Sequence, residues 1–290
     1  MKIVPISSLL QLERTNHARK GKFLFHQLLE GRESDVDNFS LQLVRTFDDF
    51  YSPRHRHNFD QIRVQIEGEC DFTRDGRMVP GSISYFPEST PYGPQKNDGE
   101  ALVLVLQFGG ASGHGYVSER IYHDTIGELK TCGEFKDGFY VPEGSTEGKD
   151  AFEAVWERVN QKQIQYAPQR YASPIFMHPA AFEWSAVRGM PGVEAKSLGI
   201  FTERKVGIRL LRLQPGGVAG VDGHTLGVVL RGVGHSEGVV MSRHDGFEIH
   251  PEERVSLLTD TGLDVLLIEL QASDKVQRPN RLATGELATA

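Results

Sequence analysis

The chain has 290 residues, with 32 Lys and Arg against 39 Asp and Glu and a formal net charge of −7. Hydrophobic residues make up 39% and charged residues 24%, which is typical of a globular protein with a sizeable core. The acidic balance excludes a generally basic nucleic-acid-binding surface, and the two cysteines, Cys70 and Cys132, exclude a disulfide framework or a cysteine-rich zinc site.

Short apolar or alternating segments bounded by turn-forming residues occupy both ends of the chain and predict β-strands. They span 40–46, 61–66, 101–107, 207–213 and 264–270. The pairs Asp75-Gly76, Asp98-Gly99, Gly216-Gly217 and Asp245-Gly246 predict hairpin connections between strands. Many short strands at this spacing indicate an all-β protein made of antiparallel sandwiches or barrels.

Two helices are predicted in the middle of the chain. Asp150 and Glu153 have the spacing of a capping box, and apolar side chains follow on one helical face at Phe152, Val155, Trp156 and Val159. A second helix is predicted from Ser118 to about Cys132. We therefore expect residues 116–173 to be a helix-containing connector between two strand-rich blocks.

The two strand-rich blocks resemble each other. In each, a strand ending in glycine (Gly68, Gly232) precedes a segment that begins with glycine (Gly81, Gly246) and a final apolar strand. The offset of about 164 residues predicts an internal duplication of one small β domain. The expected organisation is an N-terminal barrel at 1–115, the connector at 116–173, a C-terminal barrel at 174–271 and a loosely ordered tail at 272–290.

The most informative side chains lie at the start of the strand that ends at Gly68. His55 and His57 are two residues apart, so in an extended chain they project from the same face, and Gln61 continues that face. Two imidazoles and an amide oxygen form part of a shell suited to Fe, Mn, Ni, Zn or Cu. The alternative is that His55 and His57 line a polar cavity and form only hydrogen bonds.

The same alternation predicts what else lines the interior. Phe59, Arg63 and Gln65 face inward with the histidines, whereas Ile62, Val64 and Ile66 pack on the other side. An interior of this kind suits a polar or anionic small molecule, and Arg63 can pair with a carboxylate or enolate in bidentate fashion. The alternatives for Arg63 are an ion pair with Asp60 or Glu67, or a position in solvent at the barrel mouth.

On these residues the chain resembles the cupin superfamily. The first cupin motif consists of His-x-His, three residues, Glu, six residues and Gly, and it is matched at His55, His57 and Gly68. Gln61 stands where the motif has Glu. The resemblance implies a double-sheet barrel for each copy and a bicupin for the whole chain.

The second cupin motif follows at a short distance. It consists of Gly, Pro six positions on and His five positions further, and it is matched at Gly81 and Pro87, with Tyr92 in place of His. Tyr92 is then a metal ligand, a general acid or base, or an oxyanion-stabilising group. The alternative is a barrel-lining tyrosine with one hydrogen-bond partner.

The resemblance implies a cytoplasmic metal-dependent enzyme of the dioxygenase type, acting on a small oxygenated organic acid or diketone-like substrate. A divalent ion, Fe or Mn in preference to Zn or Ni, is then held by His55, His57, Gln61 and Tyr92. Phe59, Arg63 and Gln65 are the expected substrate contacts, and Tyr92 and Arg63 the expected catalytic residues. A homodimer is also implied. The alternatives are a metal-free bicupin that binds or senses a sugar or an acid, and a purely structural pair of barrels.

The second copy lacks the metal donors. Alignment of Gly232 with Gly68 places Ala219, Val221 and Thr225 at the ligand positions and Ser256 in place of Tyr92, with His224 nearby. This copy is therefore predicted to be structural or to serve in dimerisation. The segment from Phe182 to Gly207 resembles lead-in strands of cupins related to the anti-sigma factor ChrR and to acetylacetone-cleaving dioxygenase.

Other segments are less informative. Gly109–Gly115 is glycine-rich, but no parallel βαβ pattern surrounds it, so a flexible exit from the first barrel is expected rather than a dinucleotide loop. His114 and His123 follow this exit, and nothing in the sequence places them at the pocket. No segment approaches the ~18–20 apolar residues of a membrane span, and the N-terminus lacks a signal-peptide pattern, so a membrane is not an expected partner. Nucleic acid is not expected either, because the net charge is negative and no DNA-binding segment is evident.

Overall fold

A computed structural model describes residues 1–15, 20–33, 37–113 and 116–270 of the chain. Within these residues the chain forms antiparallel β-strands and two α-helices, so the predicted all-β class is confirmed. His114 and the predicted tail at 272–290 lie outside the described residues.

The strands and helices are given in chain order. The first block contains β1 (Lys2–Val4), β2 (Leu12–Thr15), β3 (Lys22–Glu30), β4 (Phe39–Thr46), β5 (Tyr51–Ser52), β6 (Phe59–Asp71), β7 (Arg77–Met78), β8 (Ile83–Phe86) and β9 (Gln95–Gly109). The middle contains α1 (Glu119–Leu129), β10 (Gly133–Lys136), β11 (Phe139–Pro142), β12 (Lys149–Asp150) and α2 (Ala151–Asn160). The last block contains β13 (Ile175–Met177), β14 (Ser185–Ala186), β15 (Val193–Phe201), β16 (Val206–Leu213), β17 (Val218–Asp222), β18 (Thr225–Gly232), β19 (Gly234–Ser236), β20 (Val239–Met241), β21 (Gly246–Ile249), β22 (Arg254–Leu258) and β23 (Leu263–Glu269). Short 3-10 turns occur at Ile6–Ser8, Thr73–Asp75 and Pro179–Ala181.

The two large sheets repeat one strand order. The first sheet has the order β13-β8-β6-β9-β4-β3-β2, with β5 beside β9 and β7 beside β6. The second has the order β1-β21-β18-β23-β16-β15-β14, and a four-stranded sheet, β17-β22-β19-β20, completes its barrel. Each strand of the first order has a counterpart at the same place in the second, so the topology contains the duplication that the glycine spacing predicts.

The two halves exchange their edge strands. The N-terminal strand β1 pairs with β21 in the second sheet, and β13 pairs with β8 in the first sheet. Each of these short strands covers the open edge of the other half's sheet. Backbone groups at a sheet edge are then paired rather than left exposed.

The outer faces of the two sheets pack against each other and form a shared core. Ile62 and Val64 of β6 belong to this core, as their strand alternation predicts, together with Ile208 of β16. Across the interface, the ring of Tyr85 stacks on Phe201, with 4.5 Å between ring centroids. The inner face of β6 is therefore turned into the N-terminal barrel.

Two corresponding glycines are required by close backbone contacts. Gly68 and Gly232 have φ of +65° and +82°, in the left-handed region that favours glycine. A Cβ atom there would lie 2.0 Å from the carbonyl oxygen of Glu100 and 2.1 Å from that of Gly262, respectively. Glycine is therefore required at both positions for the same steric reason, although only β18 ends there and β6 continues to Asp71.

Both predicted helices are present, whereas of the four predicted hairpins only the one at Asp75-Gly76 joins two paired strands. Gly216-Gly217 and Asp245-Gly246 are turns between strands of different sheets. α2 is capped by Asp150, whose carboxylate accepts from the backbone N–H groups of Phe152 and Glu153, and α1 is capped by Ser118. The pair Asp98-Gly99 lies inside β9 rather than in a hairpin, because β9 pairs with β5 and the end of β6 before it pairs with β4. Neither helix in the described part of the chain has the length and apolar character needed to cross a membrane.

Candidate ligand-binding site in the N-terminal barrel

The N-terminal barrel contains a cavity of about 190 Å³. Three predicted site residues, His57, Phe59 and Arg63, line it from β6 and the segment just before it. The end of β6, other strands and both helices complete the wall, with side chains that include Cys70, Val44, Gln95, Val103, Tyr122 and Phe152. The other predicted site residues, His55, Gln61, Gln65 and Tyr92, are not part of the lining.

A buried hydrogen-bond network lies behind this wall. Gln61 Nε2 donates to His57 Nδ1 and to the Tyr92 hydroxyl, each at 2.8 Å. The Tyr92 hydroxyl also lies 3.0 Å from His55 Nε2 and 3.2 Å from His57 Nδ1. The structure thus brings together the four residues that the two motifs predict to be neighbours.

The partners of His55 indicate the direction of these bonds. His55 Nδ1 lies 2.7 Å from the carbonyl oxygen of Pro53, which only accepts, so Nδ1 carries a hydrogen. In the neutral ring, Nε2 then accepts from the Tyr92 hydroxyl. The Tyr92 oxygen in turn accepts from Gln61 and, at 3.3 Å, from Arg63 Nη2. Tyr92 therefore connects both histidines to Arg63 and Gln61.

Arg63 is the charged group at the centre of the site. Its guanidinium donates through Nε at 3.2 Å and Nη2 at 2.9 Å to Gln61 Oε1, and through Nη1 at 2.7 Å to Gln95 Oε1. The guanidinium also lies over the ring of Phe86, 4.7 Å from its centroid. Every hydrogen-bond acceptor around this buried cation, Gln61, Gln95 and Tyr92, is electrically neutral in its ordinary form.

The predicted alternatives for Arg63 are wrong, because both candidate acids have other partners. Asp60 points to the shared core, where it accepts from the Tyr85 hydroxyl at 2.9 Å and the backbone N–H of Glu88 at 2.7 Å. Glu67 lies 3.6 Å from Arg45 at the surface. Arg63 itself is only 9% exposed, so it does not point to solvent at the mouth. Within the described chain, Arg63 has no carboxylate partner.

The substitution of Gln for Glu in the first cupin motif explains this lack. A carboxylate at position 61 would lie against the guanidinium of Arg63 and neutralise it. The amide of Gln61 instead accepts from Arg63 through its oxygen and donates to His57 and Tyr92 through its nitrogen. The network is therefore satisfied in hydrogen bonds but keeps a net positive charge.

The four predicted metal ligands do not fit a divalent ion in this arrangement. Gln61 Oε1 accepts two N–H groups of Arg63, and the Tyr92 oxygen accepts a third. A divalent cation at these atoms would lie beside the guanidinium cation, with no carboxylate in the shell to offset the repulsion. In the described residues, no group of three or more His, Cys, Asp and Glu side chains is placed to hold a metal ion.

Gln65, a predicted substrate contact, is not part of the cavity lining, although it lies beside Cys70 of the lining. Its amide nitrogen donates to the carbonyl oxygens of Glu67 at 2.9 Å and Gly68 at 3.1 Å. These bonds satisfy backbone acceptors where the pairing of β6 with β9 shifts register. Gln65 therefore has a local structural role at a bulge, although its inward parity was predicted correctly.

Sequence reasoning missed several residues of the cavity wall. Cys70 lines the cavity because the register shifts in β6 reverse the strand alternation, and a bulge of this kind has no clear sequence signal. Burial raises the pKa of its thiol to about 11. Gln95 lies on β9, which is distant in sequence from Arg63, and only the barrel brings the two together.

His123, which the sequence left unplaced, lines the cavity from α1. Burial and the positive charge of Arg14 lower its pKa from the ordinary value near 6.5. The imidazole of His123 is therefore neutral at neutral pH. It adds a polar group to the wall without adding a second cation.

His55 faces a second pocket on the other side of the network. This pocket has a volume of about 240 Å³ and is lined by Arg54, His55, Arg56, Pro91, Asp150, Glu153 and Tyr166. The guanidinium of Arg56 lies 3.7 Å from the ring centroid of Tyr166. The connector predicted from the sequence thus contributes to the wall beside the histidines.

The interior of the C-terminal barrel is filled with apolar side chains. Ala219 and Val221, which replace the two histidines, are buried in a cluster that includes Leu211, Val229 and Phe247. Ser256, which replaces Tyr92, is exposed. His224 lies 3.3 Å from the carboxylate of Glu248 rather than in this interior cluster. These positions agree with the predicted structural role.

Comparisons with solved structures agree with this architecture. No family model and no curated protein matches the sequence. A proposed dioxygenase from Nostoc punctiforme superposes with a TM-score of 0.63 at 12% identity, over 96% of this chain and 87% of that one. Oxalate decarboxylase from Bacillus subtilis superposes with a TM-score of 0.56 at 13% identity, over 93% of this chain and 76% of that one.

A plant protein gives a similar result. Vicilin from Corylus avellana superposes with a TM-score of 0.51 at 13% identity, over 93% of this chain and 86% of that one. Likeness at these identities shows the fold alone. The predicted cupin fold, with two barrels in one chain, is confirmed.

Proposed function

We propose that the N-terminal barrel binds a small organic acid, whose carboxylate pairs with Arg63. The observation that carries this proposal is a buried cation at a cavity wall, surrounded by neutral acceptors. Buried charges in proteins are generally paired, because an isolated charge loses its hydration. A bound carboxylate would supply a negative charge beside this cation.

The geometry of the guanidinium supports the same ligand. An arginine has five N–H donors, and four hydrogen bonds to Gln61, Gln95 and Tyr92 use four of them. One N–H on Nη1 is left for a ligand acceptor. A charge-assisted bond from this group is about twice as strong as a neutral one. The neighbouring His57 lines the same cavity and adds a second polar contact.

A fold-level observation also supports an acid. One solved structure with this fold is an oxalate decarboxylase, whose name specifies a small organic acid as its substrate. The identity of 13% limits this support to a cavity in a corresponding fold. The proposal rests on Arg63 and does not require the same acid or the same reaction.

A metal-dependent activity of the dioxygenase type is the second candidate. It is favoured by the convergence of two imidazoles, since the ring centroids of His55 and His57 lie 4.8 Å apart and both rings contact Tyr92. The likeness to a proposed dioxygenase supports it at the level of the fold. It requires Arg63 to leave Gln61 and Tyr92, because these residues cannot serve the guanidinium and a divalent ion together.

Calorimetry on chelator-treated protein tests the first candidate. We expect at least one of acetate, oxalate, benzoate and phenylacetate to bind, and its neutral amide to bind much more weakly. Arg63→Gln removes the cation, and Gln61→Glu supplies an internal counter-charge, so each variant weakens binding about 30-fold or more. The control is Arg45→Gln on the surface of β4, which leaves the affinity unchanged.

Two results would overturn the first candidate. One is the absence of binding by every acid in the panel, and the other is equal affinity in the wild-type protein and Arg63→Gln. Elemental analysis tests the second candidate on protein purified without added metal. Stoichiometric iron, manganese, zinc or nickel that is lost in a His55→Ala/His57→Ala variant supports it, and metal-free protein contradicts it.

A further inference from the structure

We infer that the ligand is a monocarboxylate with an aromatic or branched apolar body, of about the size of phenylacetate. This inference rests on the proposed function, because it takes the contact between Arg63 and a carboxylate as given. Beyond the proposed function, it specifies which acids the cavity binds and which it excludes. The evidence comes from the charge, the composition and the volume of the cavity.

The charges in the wall match one carboxylate and no more. Besides Arg63, the charged lining residues are Arg14 and Glu119, whose formal charges cancel. His123 adds no positive charge at neutral pH, since burial lowers its pKa. A monocarboxylate therefore brings the total formal charge of lining and ligand to zero, whereas the second carboxylate of a dicarboxylic acid leaves one negative charge in excess.

The rest of the wall is mainly apolar. Aromatic rings from several strands and both helices line the cavity, at Phe23, Phe50, Phe59, Phe72, Tyr122 and Phe152. Aliphatic side chains, which include Val44, Met78, Val103 and Val105, fill the space between the rings. The polar groups and the apolar groups of the wall thus match the two ends of an amphipathic acid.

The rings nearest the polar end are already arranged for stacking. His57 stacks on Phe59 with 4.4 Å between centroids, and the ring of Phe152 meets His57 edge-on at 4.7 Å. On the other side, Phe72 lies 5.6 Å from the guanidinium carbon of Arg63. An aromatic ring attached to the carboxylate therefore meets aromatic neighbours within a few ångströms of the cation.

The volume sets the size of the body. A cavity of about 150 Å³ in another protein holds one benzene molecule. The present cavity, at about 190 Å³, has room for a ring of that size and a carboxylate on a short linker. Oxalate would leave most of the apolar wall unfilled.

Apolar and aromatic side chains outnumber the polar ones in the lining, and some of the polar groups already have protein partners. Gln42 already donates through its amide nitrogen to Gln27 at 2.8 Å, and Gln95 already accepts from Arg63. A sugar would bring several hydroxyl groups into a wall of rings and aliphatic side chains. Hydroxyl groups that lose water without gaining a partner oppose binding.

Competition among matched ligands tests this selectivity. Calorimetric titrations of the full-length protein compare phenylacetate with four other ligands. Phenylacetamide lacks the negative charge, oxalate and succinate have two carboxylates and no apolar ring, and glucose is a neutral sugar. We expect phenylacetate to bind about 30-fold or more tightly than each of the others, because it alone matches both the charge and the apolar wall. Arg63→Gln abolishes the preference for phenylacetate over its amide.

The outcomes separate this inference from the proposed function. If oxalate or succinate binds as tightly as phenylacetate and Arg63→Gln weakens both, the acid site stands and the apolar selectivity is wrong. If no acid binds, the proposed function itself fails. If phenylacetamide binds as tightly as phenylacetate, the cavity is an apolar pocket in which Arg63 has no part.

The two cysteines provide an independent measurement of where phenylacetate binds. Cys70 lines the cavity, whereas Cys132 is exposed on the connector. We expect saturating phenylacetate to slow the reaction of Cys70 with a small methanethiosulfonate reagent at least about tenfold, and to leave Cys132 unaffected. Equal rates at Cys70 with and without a bound acid would place that acid outside the cavity.

Discussion

The two barrels have the same strand order, and one pair of facing positions shows how their interiors differ. In the N-terminal barrel, Arg63 on β6 pairs in register with Ser84 on β8. At the corresponding place in the C-terminal barrel, Gly227 on β18 pairs with Phe247 on β21. In each barrel a large side chain lies opposite a small residue. The large side chain is the cation Arg63 in the N-terminal barrel and the phenyl ring of Phe247 in the C-terminal barrel.

This difference shows that the architecture and the site depend on different features of the sequence. The architecture needs alternating strands and glycines such as Gly68 and Gly232, where the backbone leaves no room for a side chain. The site needs polar residues on the inner face of one strand. Replacing these residues, as the second copy does with Ala219, Val221 and Gly227, leaves the fold and removes the chemistry.

The largest effect on stability is expected from a substitution that disrupts the packing inside the C-terminal barrel. A Cβ atom at Gly227 would lie 2.0 Å from the ring of Phe247, so Gly227→Ala forces this buried ring to move. We expect a loss of about 3 kcal/mol or more in the free energy of unfolding, measured by urea denaturation.

The same substitution on α1 provides the control. Gly127 has nothing within 4 Å of the added Cβ atom, so Gly127→Ala gains about 0.5–1 kcal/mol from helix propensity. Equal effects of the two substitutions would contradict the account of a filled second barrel.

The next largest effect is a pH dependence of stability that arises from Asp60 in the shared core between the barrels. Burial raises the pKa of Asp60 to about 7, from 3.8, although the hydrogen bonds from the Glu88 backbone N–H and the Tyr85 hydroxyl oppose the shift. The folded protein therefore keeps a proton that the unfolded chain releases, and this stabilisation is present at low pH and lost as the pH rises through 7. Asp60→Asn cannot ionise, so its stability relative to the wild-type protein rises by about 2 kcal/mol between pH 5 and pH 7.

Urea denaturation at the two pH values measures this change. Acid binding in Asp60→Asn is expected to be unchanged, because Asp60 faces the shared core and not the cavity. A stability difference that is the same at both pH values would show that Asp60 does not titrate in this range.

The smallest effect concerns the helix that covers the N-terminal barrel. Asp150 caps α2, which carries Phe152 into the cavity wall. Asp150→Ala removes the cap and is expected to cost about 1 kcal/mol in unfolding free energy. The exposed Asp48 serves as the control, since Asp48→Ala is expected to change stability by less than about 0.5 kcal/mol. Equal losses would mean that the cap contributes nothing.

The sequence contained most of the fold and part of the site. Alternation and two motifs were enough to predict two cupin barrels and to place His55, His57, Gln61 and Tyr92 together. Alternation also places Asp60 and Arg63 on opposite faces of β6, so their ion pair could have been rejected from the sequence. The bulge that turns Cys70 inward and the contact between Arg63 and Gln95 depend on strand pairing, which local patterns do not specify.

The sequence could not show how the site residues interact. Four potential donors in two motifs indicate a metal centre, and only the coordinates show that the guanidinium of Arg63 lies against two of them. The predicted homodimer, the cytoplasmic location and the domain boundaries stay predictions.

The most direct test of the central claim is a crystal structure of the protein with 4-bromophenylacetate, whose bromine atom identifies the ligand by anomalous scattering. The account predicts a carboxylate oxygen about 3 Å from Nη1 of Arg63, with the ring against Phe72 or Phe152 and no ligand inside the C-terminal barrel. A ligand bound in the pocket beside His55, inside the C-terminal barrel, or in the cavity with its carboxylate turned away from Arg63 would contradict it.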